Sequence, residues 1–95
     1  SEDIGEEILE EDDEHQFFFA NSGGLDLSFA YTDIDENNFP VGLTTRFEAG
    51  AASAGGFRIT LRHMPEKGAA GVADGDITNA GGEEDIRVQF TVTIQ

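Results

Sequence analysis

One stretch of the chain admits very few conformations. Ile86, Val88, Phe90, Val92 and Ile94 alternate with Arg87, Gln89, Thr91, Thr93 and Gln95. On a helix this spacing would scatter the apolar side chains around every side. On a strand it places them all on one face and the polar ones on the other. A strand of this kind belongs to a sheet with one dry face and one wet face, which antiparallel sheets provide.

The same signal recurs upstream. Leu25, Leu27, Phe29 and Tyr31 share one parity, and so do Val41, Leu43, Thr45 and Phe47. Between the two runs lie Asp33-Ile34-Asp35-Glu36-Asn37-Asn38 and then Phe39-Pro40. The pattern predicts a β-hairpin over residues 25–47 with an acidic tip. Residues 15–21 read as a further strand. Phe17, Phe18 and Phe19 cannot all face one side of it, so Phe18 needs cover of its own. Phe57, Ile59 and Leu61 alternate with Arg58, Thr60 and Arg62, giving a strand that Pro65 ends. Residues 49–56 are a Gly/Ala run and read as a flexible connection. Residues 64–84 carry no period, and their length suits a Greek-key crossover that returns a late strand beside an early one. The expected fold class is all-β, mainly antiparallel, an Ig-like or Greek-key β-sandwich. Its core is expected to bury Phe29, Phe47, Ile59, Leu61, Val88, Phe90 and Val92, with Phe90→Ala a costly truncation.

Charge divides the chain. The net charge is −15, and nine of the twenty acids lie in residues 1–14. Within that stretch Ile4, Ile8 and Leu9 share one helical face, so residues 1–14 form an acidic helix or arm and residues 15–95 the sandwich domain. Five Lys and Arg against twenty acids argue against nucleic acid, whose phosphates require clustered bases. Anionic membrane surfaces are disfavoured for the same reason. The chain has no Cys, which excludes disulfides and thiolate metal sites. It begins at Ser1 without Met and carries no run able to span a bilayer, so a processed product or an excerpt of a longer protein is expected.

Candidate ligands are few. Asp33, Asp35 and Asn37 stand at alternate positions, like the opening of a calcium loop, and make calcium the candidate cofactor. Ordinary turn chemistry uses the same residue types, and Asn38 stands where such a loop carries Gly. Asp74, Asp76, Asn79, Glu83, Glu84 and Asp85 form a second acidic group that can share a cation. His15 and His63 each sit at a strand end on the apolar parity. If their strands are neighbours, the pair can hold a transition metal, with Glu14 or Met64 nearby. Ser22, Ser28 and Ser53 lack a nucleophile context, and the Gly-rich stretches lack the Lys and hydroxyl of a phosphate loop, so no enzyme is expected.

The stretches DEHQFFF at 13–19, PVGL at 40–43, LRHMP at 61–65 and AAGVADGDITNAGG at 69–82 resemble a family of small secreted lipoproteins of Bacteroidota. The resemblance covers nearly the whole chain and matches the C-terminal half of the family's length. It implies a signal peptide, a lipid-anchoring Cys and an N-terminal half with its own strands. It also implies an envelope location beside outer-membrane machinery, with contact to the membrane through the lipid anchor only. It supplies no catalytic residues. The expected function is a non-enzymatic interaction module of an envelope lipoprotein. Its partner is an outer-membrane or surface protein, its own N-terminal half, or a second copy, met through the strand that carries Phe17, Phe18 and Phe19. The alternatives are a metal- or small-ligand-binding protein that uses the loops at one sandwich end, and a structural module of a surface assembly.

Overall fold

A computed structural model describes residues 11–95 of the chain. Residues 1–10 of the expected acidic helix or arm lie outside the described residues, and Asp12–Glu14 form a short 3-10 turn. Five strands follow: β1 (His15–Ser22), β2 (Leu27–Tyr31), β3 (Thr45–Ala49), β4 (Ser53–His63) and β5 (Glu83–Ile94). All pairings are antiparallel. One sheet has the order β1-β4-β5 and the other consists of β2 and β3. The fold is therefore all-β and antiparallel in two sheets, as the alternation predicts. The strands divide three and two among the described residues, short of the seven-strand Ig-like arrangement.

Register aligns the apolar rows. Phe17 stands opposite Leu61 and Phe19 opposite Ile59. Across β4 and β5, Phe57 stands opposite Phe90, Ile59 opposite Val88 and Leu61 opposite Ile86. The two sheets meet through aromatic rings. Phe19 packs on Phe29 at 5.2 Å and on Phe47 at 5.0 Å between centroids, both edge to face, the favoured geometry for the ring quadrupole. Phe47 meets Phe57 at 5.7 Å, and Phe57 meets Phe90 at 5.7 Å.

Several expectations need correction. The hairpin forms, with Phe29 opposite Phe47, but its second strand starts only at Thr45. Asp33 is the reason. Its carboxylate accepts the N–H groups of Val41 and Gly42 on one oxygen and of Thr44 on the other, and this gathers the chain into a loop. Val41 is diverted to β1, where its carbonyl accepts the Phe17 N–H at 2.7 Å and its side chain is buried on Leu61. The neighbouring Gly42 has φ 94° and lies so close to Phe17 that a Cβ would sit 2.8 Å from the Phe17 Cβ. The Gly/Ala run is not a free connection either. β4 begins inside it at Ser53, and Gly55 packs where a Cβ would collide with the Ser22 carbonyl.

Residues 64–82 are not a crossover, because β4 and β5 are direct neighbours. The segment folds back over the opposite face of the sheet. Two 3-10 turns, Val72–Asp74 and Ile77–Asn79, place Val72 and Ala80 against Phe18, with Ala69 and Ile77 around them. Its own polar groups hold it. Asp76 Oδ1 accepts the Thr78 N–H at 2.9 Å, Asn79 Nδ2 donates to the Ala70 carbonyl at 3.0 Å, and Gln16 Nε2 ties the turn to β1 through the Val72 carbonyl at 2.8 Å. Phe18 is thus 3% exposed and covered from within, so it is not the partner contact expected of it. Phe17 and Phe19 are half-buried beneath β2, β3 and their loop.

The core is also narrower than the alternation predicts. Leu61 is buried, and Phe29, Ile59 and Val92 are half-buried. Phe47, Val88 and Phe90 are 42%, 44% and 48% exposed. The physical reason is width. A two-stranded sheet packs over β1 and β4, and the ring contacts from it stop at Phe57, so β5 has no cover among the described residues.

A buried cation closes the fold. Lys67 Nζ donates to Asp35 Oδ2 at 2.8 Å, to the Asp12 carbonyl at 2.8 Å and to the Pro40 carbonyl at 3.0 Å. Its ammonium has three donors, and all three are used.

Candidate functional site

The strand with the most unmet capacity is β5. It is twelve residues long, pairs with β4 along one edge, and has no partner along the other among the described residues. On the face shared with Phe57 and Ile59 it presents Ile86, Val88 and Phe90, all at least 36% exposed. The exposed row continues onto Phe47 and Leu43, with a shallow apolar groove lined by Phe17, Phe19, Leu43, Phe47 and Ile59 beside it. The opposite edge of the sheet is occupied at Phe17. Val41 takes up the Phe17 N–H, and the Tyr31 hydroxyl donates to the Phe17 carbonyl at 2.6 Å while accepting from Gln16 Nε2 at 3.2 Å. Burial pushes the Tyr31 phenol above its ordinary pKa, which keeps that donor protonated. Among the described residues the longer open edge is therefore that of β5.

The three tip residues do not converge as calcium ligands. Asp33 is engaged by the backbone of residues 41–44. Asp35 is buried, with Oδ1 accepting from the Asn37 and Phe39 N–H groups and Oδ2 from Lys67. Burial raises the Asp35 pKa, but the Lys67 ammonium and the two N–H donors outweigh it, and the net direction is down. Asn37 is exposed, and Asn38 takes a left-handed φ of 66°, which Asn tolerates in turns. This is turn chemistry built around a buried ion pair. The second acidic group divides, with Glu83 and Asp85 gathered beside His63 and the others engaged elsewhere or apart. Asp76 caps a turn and Glu84 pairs with Arg87 at 2.8 Å and Arg62 at 3.6 Å.

The histidines are brought together. His15 and His63 are register partners on β1 and β4, and their rings stack with centroids 4.8 Å apart. His15 is 5% exposed, and its Nδ1 lies 3.0 Å from the Glu11 carbonyl. Its Nε2 lies 3.7 Å from Asp85, and His63 Nε2 lies 4.0 Å from Glu14. The carboxyl groups crowd: a hydrogen bond with Glu14 holds the Glu11 carboxyl above the usual carboxylate range. Met64, expected nearby as a sulfur ligand, is exposed.

Two features had weaker sequence signals. Lys67 is the only Lys in the chain and stands between Pro65 and Gly68, yet nothing local marks it as buried. Glu83 and Asp85 joined the acidic group in the sequence, but only the β-sheet register places them beside a histidine. Among the described residues no helix is long and apolar enough to cross a membrane. Neither family models, nor curated proteins, nor solved structures give a match to this chain.

Proposed function

We propose that the chain is a non-enzymatic interaction module of an envelope lipoprotein, and that it works by taking up a strand from another chain along β5. The observation that carries this reading is the edge of a twelve-residue strand that has no partner among the described residues and whose apolar row is a third to a half exposed. Unpaired N–H and C=O groups with apolar side chains beside them form a template for strand addition, in which the main chain supplies affinity and the side-chain row supplies register. A strand added there, with its own residues turned over Val88 and Phe90, continues the cover that β2 and β3 begin. The donor is an outer-membrane or surface protein, or the N-terminal half that the family resemblance implies. A second copy is the weakest donor, since two chains of net charge −15 repel. The envelope setting rests on the resemblance alone. Metal binding at one end of the sandwich is the second reading, favoured by the stacked histidines, and a structural role in a surface assembly is the third.

Hydrogen exchange tests the leading reading. In the isolated chain the β5 amides that point away from β4 should exchange fast. In the full-length gene product, or in the surface complex isolated with it, the same amides should slow by about tenfold or more. A Val88→Glu, Phe90→Glu double variant should fold alone, because both positions are half-exposed, and should lose the added protection. Equal exchange in both settings overturns the reading.

A further inference from the structure

We propose that His15, His63, Glu83 and Asp85 bind a divalent transition-metal ion of the zinc, nickel or copper kind at one end of the three-stranded sheet. Strand pairing supplies the imidazoles, which face each other as register partners with an interplanar angle of 23°. A bulge supplies the acids. The β4–β5 ladder slips between Leu61 and Arg62, so that Glu83 stands opposite His63 while Asp85 becomes the additional residue. Bulges re-aim side chains and occur beside functional sites. Ligand atoms of His63, Glu83 and Asp85 all lie within 4.8 Å of one another, and Asp85 Oδ2 lies 3.7 Å from His15 Nε2.

The orientation of His15 is set from behind. The Glu11 carbonyl can only accept, so the 3.0 Å contact makes Nδ1 the donor. Histidines that ligate metals are anchored in this way, with one nitrogen on a carbonyl and the other free to bind. His15 Nε2 then presents a lone pair to the Asp85 carboxylate, acceptor against acceptor, unless a cation lies between them. His63 Nε2 lies 4.0 Å from Glu14 Oε2, so a further carboxylate borders the pair. One divalent ion at this place would meet imidazole nitrogen and carboxylate oxygen together. Nitrogen and carboxylate donors without thiolate suit zinc, nickel or copper, whereas calcium prefers oxygen alone. Glu83 and Asp85 are exposed and His63 is half-exposed, so the ligand atoms have freedom to close to bond lengths of about 2.0–2.2 Å.

Titration calorimetry of the 95-residue chain with zinc chloride, repeated with nickel and calcium chlorides, tests the proposal. The expected result is a single saturable zinc site that nickel shares and calcium does not. His63→Gln and Asp85→Asn should each weaken zinc by at least about tenfold. Asp74→Asn, an exposed acid elsewhere, should leave binding unchanged. In NMR spectra the ring resonances of His15 and His63 should shift together as zinc is added. Both test positions are at least partly exposed, and an unaltered urea midpoint establishes that each variant is folded. If His63→Gln fails to fold, Asp85→Asn decides alone. Absence of zinc binding overturns the proposal, and so does zinc binding of equal strength in both variants, or calcium binding as tight as zinc.

Discussion

Replacing Lys67 by methionine should remove about 3–5 kcal/mol of stability, because it leaves the Asp35 carboxylate buried without its cation. The Lys67 and Asp35 side chains are 4% and 0% exposed. Two carbonyls, those of Asp12 and Pro40, lose their donor at the same time. A loss of this size is a large part of the roughly 5–15 kcal/mol that a small domain has. Urea unfolding at neutral pH measures it. Adding Asp35→Asn to the methionine variant should restore part of the loss, since Asn keeps an oxygen for the Asn37 and Phe39 N–H groups and carries no charge. The full loss should not be restored, because the two carbonyls remain unmet.

The same pair sets a pH dependence. In the native chain the Asp35 pKa is lowered, so its contribution is fully present above the ordinary carboxylate range near pH 4 and is lost as pH falls through the lower folded value. In the Lys67→Met variant the cation is gone while burial and the Asn37 and Phe39 N–H groups remain, so the Asp35 pKa should stand higher than in the native chain. Acidification from neutral pH toward pH 4 should then narrow the stability gap between variant and native chain. A gap that stays constant over that range, or a methionine variant as stable as the native chain, would show that the pair does not anchor the fold.

Phe18→Ala is the second large effect, at about 3–5 kcal/mol, since the ring is 3% exposed and the cavity would open between β1 and Val72 and Ala80. The comparison residue is Phe90. At 48% exposure, with Phe57 its aromatic contact, its truncation should cost only about 1–2 kcal/mol. The order matters as much as the magnitudes, because alternation alone ranks Phe90 as the deeper residue. Chemical denaturation of the two variants side by side decides it. Equal losses would mean that residues 64–82 do not hold over Phe18 in solution.

These cases show what was legible in the sequence. Period two reveals which residues share a face, and the strands around Phe29, Phe57 and Phe90 were readable for that reason. It does not reveal whether anything lies above that face. Val88 and Ile59 are register partners of the same parity, yet one is exposed and the other half-buried, because cover is a matter of how many strands the facing sheet has. The need of Phe18 for separate cover was visible in three consecutive Phe. Its source was not, because residues 64–82 carry no period and are held by individual caps and carbonyls. The Lys67–Asp35 pair joins loops 32 residues apart in sequence, and nothing local to either marks the other. The histidine pairing was visible only as a conditional, since two strand ends meet only if their strands are neighbours.

The directions of the strands have a mechanical consequence. β1 begins at His15 beside His63, whereas β5 ends near Ile94 beside Ser53, at the opposite end of the sheet. Tension applied between these two points pulls β1 one way and β5 the other, with β4 held between them. Antiparallel ladder bonds lie across the strands, so this pull loads both ladders in shear and strains many bonds together instead of unzipping them one at a time. Resistance to such a pull is governed by the rate of unfolding and not by equilibrium stability. A module of modest stability could thus stay folded under a brief load along this axis, while a pull across the strands would peel β5 away first.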